Sequence, residues 1–199
     1  ETTIAIAYGP PPPLAFVLRR VSDGMAQNAV LAICAALWLG VPAEEIQARL
    51  AGWKPAKLRG EIRQEEGRMR YLDCYNANPA SMADALAAFV EMAPAGEPRL
   101  FVIGCMEELG ADAPAEHHAL GRSLPLGAGD RLLVIGTHAA AVCAGVLEKG
   151  DFTRQMQIVG SLEPITAGIA EWRGAVFVKG SRRYQLEKAI NDQAENVPA

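Results

Sequence analysis

The chain has 199 residues, half of them hydrophobic, with 19 Lys and Arg against 23 Asp and Glu, a formal net charge of −4. This apolar content excludes a disordered chain, and the acidity argues against general nucleic-acid binding and against a basic membrane-surface helix. The longest apolar run, 29–39, is too short to span a bilayer, and no secretory signal opens the chain. Four widely spaced cysteines without a CxxC pair favour reduced, buried thiols in a cytoplasmic protein.

The N-terminal part is predicted to form a hairpin followed by two helices. Thr2–Tyr8 and Leu14–Val21 are rich in strand-forming residues and are separated by a glycine and a run of prolines. A helix over 24–39 follows, ended by a glycine and apolar nearly all round in its last three turns, which indicates burial on most sides. A proline then opens a short helix over 43–50.

From Glu61 onward strands alternate with helices. The predicted strands are 68–73, 100–103, 132–135, 155–159 and 175–178, and the predicted helices begin at Pro79 or cover 114–123, 138–147, 162–172 and 182–191. Unbroken Val, Ile and Leu strands alternating with helices indicate an α/β fold with a mostly parallel sheet covered on both faces.

The carboxyl ends of the strands are the predicted ligand site, because ligands of open α/β sheets bind there. Three strands end near a glycine, at 104, 136 and 180, which lets the backbone turn sharply and approach a ligand closely. The loops expected to face one crevice are 73–79, 104–111, 136–138 and 179–183.

Common catalytic motifs are missing from the sequence. It has no GxxxxGK[ST] phosphate loop, no GxGxxG fingerprint and no GxSxG elbow, and its three histidines lack zinc-ligand spacing with the cysteines. We therefore do not expect the chain to perform a demanding reaction alone.

The segment 73–79 combines a strand-end carboxylate with two amides before a helix. Asp73 there can accept from two ribose hydroxyls, but a turn with Asn78 as a helix cap explains the pattern equally well. At the end of another buried strand, Lys179 needs an anionic partner, and Ser181 is predicted to cap a helix whose N–H groups favour an anion. Arg59 would suit either a phosphate or a surface charge cluster, and a lone histidine such as His117 is more often structural.

These motifs, taken in series, resemble those of the Mur ligases. The matching strings are PAKLRGE at 55–61, DCYNANPASM at 73–82, GCMEELG at 104–110 with His117 and Gly121 after it, and VKGSR at 178–182 with Glu187. The segment 24–40 resembles a helix of the family, and the match extends from about residue 14 to 191. The NANP and KGSR elements favour the branch that adds D-alanyl-D-alanine to UDP-N-acetylmuramoyl-tripeptide.

The resemblance implies the C-terminal, Rossmann-like domain of a three-domain, ATP-dependent peptidoglycan-precursor ligase. Residues 23–199 would form this domain, and 1–22 would be the last hairpin of a central ATPase domain. The phosphate loop, the Mg²⁺ ligands and a carbamylated lysine would lie upstream, so the fragment alone would carry no catalytic residue or metal ligand and be inactive. The whole enzyme would form an acyl phosphate on the UDP-MurNAc-peptide, which the D-Ala-D-Ala amine attacks with release of ADP and phosphate.

Carried over by position, the resemblance implies that Asn28 lies near the adenine, Arg59 near the phosphates and Asp73 at the ribose. The residues implied to contact substrate are Tyr75, Asn76, Asn78, Ser81, His117, Lys179, Ser181 and Arg182. Gly24-Met25 stands where the family has His-Asn, Cys74 where it has Ser, and Cys105 where it has Asp. A ligase with another amine acceptor and a non-catalytic binding module derived from the domain therefore stay open as alternatives.

Overall fold

The computed structural model describes residues 1–9, 12–65 and 67–190. They form two compact units, one from Glu1 to Ala56 and one that begins at Lys57. Each unit has its own buried apolar core. No helix in the described ranges is long and apolar enough to cross a bilayer.

The first unit is the predicted hairpin with two helices on one face. Strands β1 (Thr2–Ile6) and β2 (Leu14–Leu18) pair antiparallel, and helices α1 (Asp23–Trp38) and α2 (Ala43–Ala51) follow. The inward side chains of all four elements share one core, formed by Ile4, Ile6, Phe16, Leu18, Ile33, Leu37 and Ile46. The compact unit thus continues beyond residue 22, and the assignment of 1–22 to a separate ATPase domain stays a prediction.

The outer edge of β2 is covered by a side chain. Val17 N–H donates to Gln47 Oε1 at 2.8 Å, and Gln47 Nε2 donates to Val17 O at 2.8 Å. The Gln47 amide therefore makes the pair of hydrogen bonds that a neighbouring strand would make.

The prediction that α1 is buried on most sides is wrong. Only Ile33 and Leu37 of its 16 residues are buried, whereas Leu31 and Trp38 are 69% and 81% exposed. Two strands are wide enough to cover only one side of a helix, so the apolar side chains on the other sides of α1 are not buried in the core of this unit. Cys34 is exposed for the same reason, which corrects the expectation of buried thiols at this position.

The second unit is a six-stranded mixed sheet with helices on both faces, which confirms the predicted fold class. Its strands lie in the order β3-β4-β8-β5-β6-β7, with β3 antiparallel to β4 and all other neighbours parallel. The strands are β3 (Glu61–Glu65), β4 (Arg68–Asp73), β5 (Arg99–Gly104), β6 (Arg131–Ile135), β7 (Met156–Val159) and β8 (Ala175–Lys179). The helices are α3 (Pro79–Met92), α4 (Ala113–Ser123), α5 (Ala139–Leu147) and α6 (Glu163–Glu171).

Two cores, one on each face of the sheet, hold this unit together. On one face α3, α4 and α5 cover an aromatic cluster in which the Phe89 and Phe177 rings are 5.2 Å apart. On the other face Ile165 and Ile169 of α6 pack with Leu186 against the sheet. Because both faces are covered, the strand ends are where the loops of this unit gather.

The predicted helix over 182–191 is wrong. Arg182–Tyr184 and Leu186–Ala189 are two short 3₁₀ turns, separated by Gln185 at φ 47°. A left-handed residue interrupts a right-handed helix, so the segment cannot continue as one. Asn191, at the end of the predicted helix, lies outside the described residues.

Candidate functional site

A buried ion pair joins the ends of strands β4 and β8. Asp73 and Lys179 are register partners on these parallel strands, and Lys179 Nζ lies 2.6 Å from Asp73 Oδ2. The lysine is 1% exposed and also donates to the carbonyl oxygens of Asp73 (3.4 Å) and Asn76 (3.1 Å). The expected anionic partner of Lys179 is thus a carboxylate of the chain itself, and the Asp73 side chain keeps 19% of its surface exposed.

The loop before β3 is attached to the same carboxylate. Gly60 N–H donates to Asp73 Oδ1 at 3.2 Å, and Tyr75 N–H donates to Leu58 O at 3.2 Å. The guanidinium carbon of Arg59 lies 3.9 Å from the centre of the Tyr75 ring, a cation–π contact. The structure therefore brings Arg59 and Asp73, two of the predicted nucleotide contacts, together with Tyr75, a predicted substrate contact. Their contact with a nucleotide or substrate stays a prediction.

The NANP segment forms the start of α3. The Asn78 side chain accepts from Ser81 N–H at 2.8 Å, and the Ser81 hydroxyl accepts from Asn78 N–H at 3.1 Å, which is a capping box. Asn76 Oδ1 accepts from Ala77 N–H at 2.9 Å. The capping interpretation is confirmed for Asn78, while contact of these three residues with substrate stays a prediction.

Tyr184 lies beside Gly104 at the end of β5 and Gly136 directly after β6. Its hydroxyl donates to Glu107 Oε1 at 2.5 Å, and Arg183 Nη1 donates to Glu107 Oε2 at 3.0 Å. The hydrogen bond from Tyr184, together with Arg183, lowers the pKa of Glu107. Burial, followed by the bond to Glu107, raises the pKa of Tyr184, so its proton stays on the phenol. This contact ties the loop after β5 to the turn after β8.

The strand-end glycines approach protein atoms on the side where a Cβ would stand, and their predicted approach to a ligand stays a prediction. A Cβ on Gly180 would lie 2.6 Å from Gly104 Cα, and a Cβ on Gly136 would lie 2.5 Å from the Tyr184 hydroxyl. Real Cβ atoms essentially never make such contacts, so these positions require glycine for packing.

His117 is fully buried at 0% exposure, and the backbone uses both of its ring nitrogens. Nε2 accepts from Met106 N–H at 2.8 Å, and Nδ1 lies 2.6 Å from Ala113 O, which requires the tautomer protonated on Nδ1. Burial lowers the pKa of the imidazole and keeps it neutral. His117 therefore fixes the loop after β5, and its predicted contact with substrate stays a prediction.

The KGSR segment does not form a helix N-terminus. Ser181 accepts from Arg183 N–H at 3.4 Å and caps a three-residue turn, so the expected anion site at a helix end is wrong. Arg182 is half-exposed and forms a 2.5 Å ion pair with Glu187 Oε1. The buried thiol of Cys74 has its pKa raised to about 12, first by burial and then by the Glu187 charge.

Comparison with known proteins places this geometry in a family. The model of the Mur ligase, glutamate ligase domain matches residues 58–182. The chain belongs to the Mur ligase family. The matched range contains the ion pair of Asp73 with Lys179, the Arg59 loop and the capping box of α3. Asn28, the predicted adenine contact, lies outside it on exposed α1 of the first unit.

Several curated relatives that share one name match most of this Mur ligase chain. It is 32% identical over 174 residues to the UDP-N-acetylmuramoyl-tripeptide–D-alanyl-D-alanine ligase of Escherichia coli (strain K12), covering 85% of this chain and 36% of that protein. The Treponema pallidum (strain Nichols) enzyme of the same name is 33% identical over 82% of this chain and 35% of its own. The chain thus spans little more than a third of the curated relatives that it matches.

Solved structures agree with this fold. A crystal structure of MurF from Acinetobacter baumannii has a TM-score of 0.75 at 26% identity and covers 92% of this chain and 40% of that one. MurF from Thermotoga maritima in complex with ADP has a TM-score of 0.73 at 22% identity, which shows the fold alone. It covers 89% of this chain and 40% of that one.

The described residues of this Mur ligase domain offer no metal site, since no group of three or more His, Cys, Asp or Glu side chains among them could hold an ion. A cavity of about 410 Å³ lies at the opposite end of the sheet, beside Pro98 and Asp130. Sequence reasoning missed Glu107, Arg183 and Tyr184 as a group. The only available signal was their position inside or next to the GCMEELG and KGSR strings.

Proposed function

We propose that the chain is the C-terminal part of an ATP-dependent ligase that adds D-alanyl-D-alanine to UDP-N-acetylmuramoyl-tripeptide in cytoplasmic peptidoglycan precursor synthesis. The observation that carries this proposal is the match of 82–85% of the chain, at 32–33% identity, to relatives of that name. In this proposal residues 1–22 are the end of the central ATPase domain, and the phosphate loop and Mg²⁺ ligands belong to parts of the enzyme outside this chain.

The proposed reaction couples amide formation to ATP hydrolysis. The tripeptide carboxylate attacks the γ-phosphorus of ATP, which gives an acyl phosphate and ADP. The free amine of D-alanyl-D-alanine then attacks the acyl carbon, the C–O bond to phosphate breaks, and the amine loses a proton. An isolated C-terminal part would bind nucleotide and acceptor groups without the machinery for phosphoryl transfer.

The residues near Asp73 suit a nucleotide. The exposed part of the Asp73 carboxylate has lone pairs left for ribose hydroxyls. The Arg59 guanidinium lies over Tyr75 on the surface, where a phosphate can reach its N–H groups. On the acceptor side, Arg182 is half-exposed and suits the carboxylate of a dipeptide.

A second candidate is a Mur-type ligase with a different amine acceptor. Cys74 and Cys105, which stand where the family has Ser and Asp, are both fully buried with raised pKa values. They are therefore neutral thiols at positions where the family has a hydroxyl and a carboxylate. This change in polarity beside the strand ends is the observation that favours another acceptor.

The test is ADP release by the full-length protein with UDP-N-acetylmuramoyl-tripeptide and a panel of amino acids and dipeptides. We expect release that depends on D-alanyl-D-alanine. Release with a different amine would select the second candidate, and no release with any amine would favour a non-catalytic binding module. The 199-residue chain alone should bind ATP weakly, and micromolar affinity in calorimetry would contradict the upstream position of the phosphate loop.

A further inference from the structure

Three loops of the second unit are fastened to one buried ion pair. The 57–60 loop reaches it through Gly60 N–H on Asp73 Oδ1, and the 73–76 loop through the carbonyl of Asn76 on Lys179 Nζ. Lys179 itself is the last residue of β8 and directly precedes the loop after that strand. We call this set of hydrogen bonds around Asp73 and Lys179 the strand-end junction.

We propose that Lys179 is a positioning residue for the nucleotide site and does not contact the acceptor. This inference rests on the proposed function in one respect, because it takes Asp73 as the group that accepts from the ribose. It changes the role that family resemblance implies for Lys179, which is to line the acceptor crevice.

The hydrogen bonds of Lys179 leave it nothing to offer a ligand. An ammonium group has three protons, and Nζ has three acceptors inside the chain, at 2.6, 3.1 and 3.4 Å. The residue is 1% exposed, so a ligand has no surface to touch. Its compact ammonium suits three acceptors in different directions, whereas the planar fork of an arginine does not.

The Asp73 carboxylate, in contrast, stays available. Lys179 takes one lone pair of Oδ2 and Gly60 N–H takes one of Oδ1, and each carboxylate oxygen can accept more than one hydrogen bond. With 19% of the side chain exposed, Asp73 presents these remaining lone pairs outward in a fixed orientation. Lys179 therefore acts on a nucleotide through Asp73.

The junction also orients Arg59. The amide that Asp73 holds belongs to Gly60, the residue after Arg59, and the Tyr75 amide holds Leu58 O on the other side. The backbone is thus held on both sides of Arg59, whose guanidinium lies above the Tyr75 ring. Loss of Lys179 should disturb the ribose and phosphate contacts together and leave Arg182, with its own partner Glu187, in place.

The experiment compares Lys179→Met with Lys188→Met, an exposed lysine nearby, in the full-length protein. We expect Lys179→Met to raise the KM for ATP by about tenfold, the loss of one charge-assisted contact, with the KM for D-alanyl-D-alanine unchanged. Lys188→Met should change neither value. A raised acceptor KM with an unchanged ATP KM, or no change in either, would overturn the inference.

Two further measurements keep the test decisive. If Lys179→Met misfolds, Asp73→Asn is compared with Asp73→Asn/Lys179→Met, and we expect the second change to cause no further loss of ATP affinity. An additional loss of about tenfold would show an independent contact of Lys179 and refute the proposal.

Hydrogen exchange separates this inference from the proposed function. The Gly60 amide should exchange at least tenfold faster in Lys179→Met than in Lys188→Met, whether or not the wild type ligates D-alanyl-D-alanine. Unchanged protection of Gly60 would refute the junction even in an active ligase. Faster exchange in a protein that ligates nothing would leave the junction standing and reject the proposed function.

Discussion

Gly145→Ala should open the contact between α4 and α5 and destabilise the second unit. A Cβ at Gly145 would lie 2.0 Å from His118 O and 2.9 Å from Arg122 N, both backbone atoms of α4. Non-bonded contacts normally lie at about 3.5 Å or more, so the helices must separate by roughly 1.5 Å. The obstacle is backbone, so no side-chain rotamer can relieve it.

The size of the effect follows from two opposing terms. Overpacking of this kind costs about 1–3 kcal/mol, and a rigid backbone contact belongs at the upper end. Replacing a helical glycine by alanine returns about 1 kcal/mol of helix propensity. We therefore expect a net loss of about 2 kcal/mol, which corresponds to ~1 M in the urea midpoint for an m-value of about 2 kcal/mol/M.

The assay is urea unfolding of the 199-residue chain followed by circular dichroism, with Gly160→Ala as the control. No atom lies within 4 Å of a Cβ at Gly160, so this variant should stay within about 0.5 kcal/mol of wild type. A Gly145→Ala midpoint equal to that of the control would refute the reasoning. Because α4 also carries His117, the Met106 amide should lose exchange protection in Gly145→Ala alone.

Three other predictions concern residues of the candidate site. Burial lowers the pKa of His117 below 6.5, so the unfolded chain binds more protons than the folded one, and stability should fall as pH drops from 6.5 toward the folded pKa. His117→Gln should therefore reduce the pH dependence of the urea midpoint between pH 7.5 and 5.5. An unchanged pH dependence would contradict this. Asn78→Ala should lose about 1 kcal/mol of stability while Asn78→Ser retains the cap, and a raised D-alanyl-D-alanine KM in both variants would indicate a direct substrate contact. Asp73→Ala in the full-length protein should raise the ATP KM by about tenfold, and an unchanged value would limit Asp73 to a structural role.

Five of the six strands of the second unit were predictable because each carries its own signal, whereas β3 (Glu61–Glu65) was missed because Ile62 is its only apolar residue. The cores of β5, β6 and β8 are unbroken apolar runs, as expected for strands covered on both faces. The segment 182–191 was misassigned because Leu186, Ala189 and Ile190 are spaced like one face of a helix. All three are buried, but Leu186 and Ala189 lie in a 3₁₀ turn, whose three-residue repeat gives a similar spacing, and Ile190 follows it in extended conformation.

The candidate site was only partly predictable, because its contacts depend on which strands are neighbours. The need of Lys179 for an anion is a local property of a buried strand end, and the sequence indicated it correctly. The identity of that anion is not local, since Asp73 lies 106 residues away and becomes adjacent only because β8 inserts between β4 and β5. The same insertion brings Tyr184 to Glu107 across 77 residues.

The side-chain amide of Gln47 determines which edge of the two-stranded sheet in the first unit can accept a further strand. With Val17 N–H and C=O already satisfied, an incoming chain finds no free ladder at the centre of β2. In the described residues β1 has β2 as its only strand neighbour, so Thr2–Ile6 is the side at which a further strand can add. Replacing Gln47 by a residue without an amide would leave backbone groups unpaired on both edges of this two-stranded sheet. Strands of other chains could then pair with either edge, so that the pairing can propagate from chain to chain.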